Sequence, residues 1–193
     1  MLLRTVTVVF LHLHAFHVVD SCHPNPIHDS STCAAPSNHA VAVLKGNAGV
    51  EGEIHLYEMG DHTLIVGALI GLTPGQHGFH IHQYGDLTSG CISAGPHFNP
   101  FGNTHGGPDS GMRHIGDLGS ITAAPNGVAR FEIKDVPVRL GGEHSVIGRS
   151  MVVHADVDDL GLGVGGKREE SLKTGNAGAR VACGVIGVAA PTP

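Results

Sequence analysis

Between His77 and Asp117 the chain reads HGFHIHQYGDLTSGCISAGPHFNPFGNTHGGPDSGMRHIGD, and no other stretch narrows the possible folds so far. Successive side chains of a β-strand point to opposite faces, so on an extended His80-Ile81-His82 the two histidines project from one face. One rigid strand then offers two imidazoles to one ion. The next three histidines, His97, His105 and His114, stand among so many Gly and Pro residues that no regular element can hold them. Loops of this length are functional or disordered, and a metal would supply the missing order. Imidazole suits zinc and copper, and a carboxylate such as Asp117 completes a tetrahedral zinc site. A sixth histidine, His154, follows on a later apolar run. A single His on a strand or loop is ordinarily a surface or satisfied core residue, and His55, His62 and His144 are read that way.

What surrounds this stretch is built of short strands. The 193 residues include 29 Gly and 11 Pro, and only 15% are charged, which predicts many turns and little helix. That length suits one domain plus an extension. Alternation marks 40–44 and 53–58 as strands, and segments set off by turns and loops at 63–70, the His80–His82 strand, 118–122, 128–133, 150–154 and 181–188 bring the number to eight. Ala124-Pro125-Asn126-Gly127 between two of them is a hairpin turn signal. The fold class expected is all-β: an eight-stranded Greek-key flattened β-barrel or sandwich, with two long loops, 83–117 and 156–179, carrying chemistry. The formal net charge of −6, with no basic run, argues against a general nucleic-acid binder.

Residues 1–21 have the outline of a secretory signal: Arg4, a mostly apolar run from Val6 to Val19, and small Ser21 before Cys22. His12, His14 and His17 interrupt the run, and at fourteen residues it is short for a membrane span of about twenty. No stable membrane anchor is expected. Export is the reading taken, with a cytoplasmic extension as the alternative. Residues 22–38 hold three prolines and no periodicity, and read as a flexible linker carrying Cys22, Cys33, His23 and His28. The domain is assigned to 39–193. Four cysteines allow three pairings, which spacing alone leaves open.

The sequence also resembles the eukaryotic copper-zinc superoxide dismutases over roughly residues 39–190. Gly78-Phe79-His80-Ile81-His82-Gln83-Tyr84-Gly85-Asp86 with Thr88 is similar to the family's first signature, and Gly175-Asn176-Ala177-Gly178-Ala179-Arg180-Val181-Ala182-Cys183-Gly184 to its second. The segments around His97, His105, His114-Ile115-Gly116-Asp117 and Val152-Val153-His154 fall at the family's spacings. The resemblance implies copper on His80, His82, His97 and His154, and zinc on His97, His105, His114 and Asp117, with His97 shared. It implies catalytic roles for Arg180, which would hold the anion, and for His97, which would return a proton. Asp158 would link the two metal sites from behind, and Cys91 and Cys183 would form a disulfide.

The implied reaction is dismutation of superoxide to dioxygen and hydrogen peroxide. A homodimer is implied as well, through Tyr84, Gly85, Ile147, Gly148, Val185 and Ile186, and a copper-delivery protein is a compatible partner. Glu169, Glu170, Lys173 and Thr174 occupy the loop that shapes the approach in this family. One departure is Leu160–Lys167, longer than the usual loop and apolar where the family is commonly basic. Two non-enzymatic readings compete. A copper chaperone of the same fold would need a closely spaced cysteine pair, and a metal store would need no Arg180.

Overall fold

The structure, a computed structural model, describes residues 38–191. The expected signal segment 1–21, and the linker with Cys22, Cys33, His23 and His28, lie outside the described residues. Nine strands are formed: β1 (His39–Gly46), β2 (Glu51–Glu58), β3 (Thr63–Ile70), β4 (Gly75–His82), β5 (Thr88–Cys91), β6 (Asp117–Ala123), β7 (Ala129–Asp135), β8 (Ser150–His154) and β9 (Arg180–Val188). All but β5 close into one barrel in the order β1-β2-β3-β7-β6-β4-β8-β9. The connections from β3 to β4 and from β7 to β8 skip neighbours, which makes the order a Greek key.

Period-two burial explains why these residues form these strands. Ala40, Ala42 and Leu44 on β1, Ile54 and Leu56 on β2, and Ile65 and Leu69 on β3 point inward and are fully buried. Between the last two, Gly67 leaves room for the Phe131 ring, because a Cβ there would stand 2.5 Å from Phe131 Cζ. Phe131 then meets Phe79 of β4 edge to face, with centroids 5.0 Å apart. Phe79 and Ile81 fill the barrel, so His80 and His82 must face outward, under the long loop.

Two findings differ from the strand-only expectation. The short β5 is an addition outside the barrel, and the second long loop contains one helix, α1 (Arg168–Thr174). Glu169 and Glu170 sit in its first turn and Lys173 in its last, the distribution that the helix dipole favours. Cys91 and Cys183 form the disulfide implied by the family resemblance, tying the end of β5 to β9 across 92 residues. Ile186 is a correction: its side chain is fully buried in the barrel core and cannot contact another subunit, whereas Val185 beside it is exposed.

Candidate metal centre

The first long loop is laid against the outer side of β4 by backbone pairing. His82 and His97 form an isolated antiparallel bridge, Phe98 N donates to Ile81 O, and Ile81 N donates to Gly116 O. Gly116 is required there, because a Cβ would stand 2.1 Å from Ile81 O. Ladder irregularities fall where metal-facing residues begin, between Gly78 and His80 against β6 and between Val153 and His154 against β9. Such bulges re-aim side chains beside active sites. Six histidines and Asp117 are thereby brought together and buried: His80, His82, His97, His105, His114 and His154.

Which ring nitrogen is left for a metal follows from the acceptors behind each ring. His82 Nδ1 donates to Gly95 O at 2.8 Å, His154 Nδ1 to Gly178 O at 3.1 Å, and His114 Nε2 to Asn103 O at 3.1 Å. His80 Nε2 and His105 Nε2 donate to the two oxygens of Asp158, each at 2.8 Å. A neutral imidazole has one N–H, so each of these five rings, when neutral, presents a lone pair on the opposite nitrogen. His97 alone among the six has no such acceptor behind it.

Those lone pairs converge on two points. At the first, His82 Nε2 and His154 Nε2 are 3.2 Å apart, and the buried His80 Nδ1 and His97 Nε2 have no hydrogen-bond partner. At the second, Asp117 Oδ1 lies 2.8 Å from His97 Nδ1, 2.9 Å from His105 Nδ1 and 3.0 Å from His114 Nδ1. The His105 contact is close but is not aligned as a hydrogen bond, since His105 Nδ1 is itself unpartnered. Asp117 Oδ2 is held by the backbone N–H groups of His114 and Gly106. Lone pairs and a carboxylate oxygen facing each other inside a protein repel unless a cation lies between them. The donor sets, four imidazoles at one point and three imidazoles with a carboxylate at the other, suit copper and zinc respectively.

The electrostatics divide in the same way. Burial, followed by the neighbouring His97, pushes His80 down to about 3, and burial likewise takes His154 to about 4 and His82 well below the ordinary range. These rings stay neutral, the form in which an imidazole can bind a metal. At the second point burial opposes charge on His105, but Asp117 and Asp158 outweigh it and raise the ring to about 9. Burial likewise opposes charge on Asp158, yet the His105 and His80 contacts bring its carboxyl down to about 2. Positive charge is demanded there, as a proton or as a metal.

Above the first point a cleft of about 940 Å³ opens to solvent, lined by His82, His97, His154, Lys173, Thr174 and Arg180 among others. Arg180 donates to Cys91 O at 2.6 Å, Ile92 O at 3.0 Å and Gly95 O at 2.6 Å. Gly95 O thus accepts from both Arg180 and His82. Two residues were missed in the sequence. Arg113 is buried and donates to Asp117 O and to the Asp135 carboxylate, fixing the strand end that carries Asp117. His77 lies between Thr73 and the end of β8, where its Nδ1 donates to His154 O at 2.8 Å and its Nε2 can accept from the Thr73 hydroxyl at 3.3 Å. No spacing marks either one; an Arg adjoining a ligand His was the only available signal.

A family model described as copper/zinc superoxide dismutase matches residues 50–186. The chain belongs to the copper/zinc superoxide dismutase family. It is 58% identical over 170 residues to an extracellular Cu-Zn superoxide dismutase of Onchocerca volvulus, covering 87% of this chain and 82% of that one. To an extracellular Cu-Zn superoxide dismutase of Brugia pahangi it is 59% identical over 152 residues, 78% of this chain and 76% of the relative. A Cu-Zn superoxide dismutase of O. volvulus is 58% identical over 156 residues, 80% of this chain and 98% of that one. As a copper/zinc superoxide dismutase the chain is an oxidoreductase that dismutes superoxide and uses copper and zinc.

Proposed function

We propose that His80, His82, His97 and His154 hold the copper, that His97, His105, His114 and Asp117 hold the zinc, and that Arg180 docks superoxide beside the copper. The observation that carries this assignment is His97, the one ring of six with an unpartnered nitrogen toward one point and its other nitrogen toward Asp117 at the second. Copper, when bound, supplies the couple that takes an electron from one superoxide and returns it to the next, giving dioxygen and then, with two protons, hydrogen peroxide. His97 Nε2 would hold one of the two protons that the peroxide takes up, with solvent in the cleft as the source of the other. Asp158 keeps the His80 and His105 rings oriented by accepting from both. Arg180 has five N–H donors and uses three on backbone carbonyls, which leaves two to meet an anion in the cleft.

Substitution His97→Ala tests the shared ligand. The expected result is weaker copper retention and loss of the spectroscopic coupling between the two metals, read by metal analysis and electron paramagnetic resonance. Copper spectra unchanged by the substitution would remove the bridge.

Secretion is proposed on the outline of residues 1–21 and on the two relatives named as extracellular. A homodimer is proposed through Tyr84, Gly85, Ile147, Gly148 and Val185, and a copper-delivery protein is proposed as the source of the metal. Among the described residues no helix is long and apolar enough to cross a membrane.

A further inference from the structure

Ahead of α1 the second long loop carries almost nothing into the core. Over residues 162–170 every side is exposed except at the half-buried Gly163, with Leu162 at 72% and Val164 at 80%. Surface hydrogen bonds hold 164–168: Lys167 N donates to Val164 O at 3.2 Å, Arg168 N to Gly165 O, Arg168 Nη1 to Gly161 O at 3.1 Å, and Asn176 Nδ2 to Lys167 O at 3.2 Å. A segment with no buried apolar contact and solvated hydrogen bonds opens locally at small cost, and such small-residue loop tips are where proteolytic nicking concentrates. Two adjoining exposed cations stand there, Lys167 and Arg168. The other cations among the described residues are better held. Lys45, Arg130, Lys134 and Arg180 stand on paired strands, Lys173 lies in α1 bonded to Glu169, Arg113 is buried, and Arg139 and Arg149 donate to backbone carbonyls of other segments.

We propose that Lys167-Arg168 is a site of limited cleavage by a trypsin-like protease, and that the cut turns the loaded enzyme into a two-piece form that holds zinc less tightly. Water adds across one peptide bond, leaving a carboxylate on Lys167 or Arg168 and an ammonium on the residue after it. All seven metal-facing ligand residues precede the cut, and β9 follows it. The Cys91–Cys183 disulfide spans the cut, so the pieces stay joined. The helix α1 is the element that suffers. Seven residues do not hold a helix by themselves, and the cut removes the chain that leads into its first turn. Leu172 O, in this helix, accepts from His105 N at 2.8 Å and so holds down a zinc-side histidine. Fraying of α1 loosens that bond. This consequence rests on the zinc assignment above, whereas the position of the cut does not.

The test exposes the full chain, loaded with copper and zinc, to a trace of trypsin. The first cut among residues 38–191 should fall after Lys167 or Arg168, and the denatured product should run as one species without reductant and as two with it. Competition with a zinc chelator should show affinity about tenfold lower in the nicked enzyme, the low end of what losing a ligand's supporting partner costs, with copper retained. A chain carrying both Lys167→Gln and Arg168→Gln should stay whole over the same time, its parental dismutation rate reporting that it folds. A first cut elsewhere in that range, no cut at all, or a nicked enzyme that binds zinc as tightly as the intact chain would overturn the proposal. A wrong zinc assignment shows separately, as an uncut His105→Ala chain that keeps its zinc.

Discussion

The role proposed for Arg180, docking the anion, would separate a catalyst from a metal store. Three backbone carbonyls hold its guanidinium at the edge of the cleft, one of them from Cys91 of the disulfide and one from Ile92 next to it. The chain as a whole is net negative at −6 and should repel superoxide, so any attraction must be local. Focused positive fields raise association rates by about 10–10³, an effect for which enzymes of this family are a standing example. Arg180→Ile should therefore slow dismutation at low salt, flatten its dependence on ionic strength, and leave both metals bound. Arg180→Lys should fall between the two, because a point charge still steers while the planar fork is lost. Stopped-flow rates across ionic strength check this, and an Ile variant with the parent rate and salt slope would end the guiding role. At this scale the side chains were legible and their acceptors were not. The histidines stand out by type and spacing, but the carbonyls of Gly95, Gly178 and Asn103 that set the tautomers are backbone atoms without a sequence signature. Ile186 was legible in principle, since alternation along β9 puts it on the inward face with Ala182.

Among the elements, strands such as β1 and β2 could be read from alternation because each has one face in the core and one outside, whereas β8, buried along its whole length, was legible only as an apolar run. The helix α1 could be read from neither. Seven residues bounded by Gly-rich sequence do not hold a helix in water, where nucleation is costly and stability comes from packing. Here Ser171 anchors it by donating to Asp159 Oδ1 at 2.7 Å, and Gly175 ends it in the left-handed conformation at φ 67°. That glycine also serves the metal centre. A Cβ on it would stand 2.0 Å from Asp158 Oδ1 and 2.5 Å from His105 Nε2, inside the bond that joins them. Gly175→Ala should displace Asp158 and lower zinc affinity by about 10–100-fold, the usual effect of losing a partner behind a ligand. Gly165→Ala is the control, because its φ of 58° carries the same backbone cost, about 1–2 kcal/mol, with nothing within 4 Å to strike. Competition with a zinc chelator distinguishes them; equal zinc loss in both would mean that backbone strain, and not Asp158, explains the effect.

For the molecule as a whole, the two metal points should respond to acid in opposite order of sensitivity. His80 and His154, at about 3 and about 4 in the fold, are neutral well below the ordinary imidazole value of 6.5. Copper therefore displaces no proton from them between pH 4 and 7. His105, raised to about 9, carries a proton throughout that range in the metal-free chain, and zinc must displace it. Zinc affinity should then fall about tenfold for each pH unit below 9, with copper affinity nearly level until pH 4. The same shifts act on the metal-free fold with signs that can be worked out. A ring lowered to about 3 or 4 binds fewer protons folded than unfolded, so its contribution is present above 6.5 and lost as pH falls toward 4. A shift of that size amounts to a few kcal/mol per ring, on the order set by 1.4 kcal/mol per pH unit. His105 acts oppositely, contributing fully below 6.5 and losing its contribution as pH rises through about 9. Metal-free protein should thus be most stable near pH 6.5, below which the His80 and His154 contributions fall away and above which that of His105 does. Calorimetric melting of the metal-free chain from pH 4 to 10, with zinc and copper release followed in parallel on the loaded enzyme, checks both halves. Copper leaving before zinc on acidification, or a metal-free melting temperature level from pH 4 to 7, would contradict this division of the site.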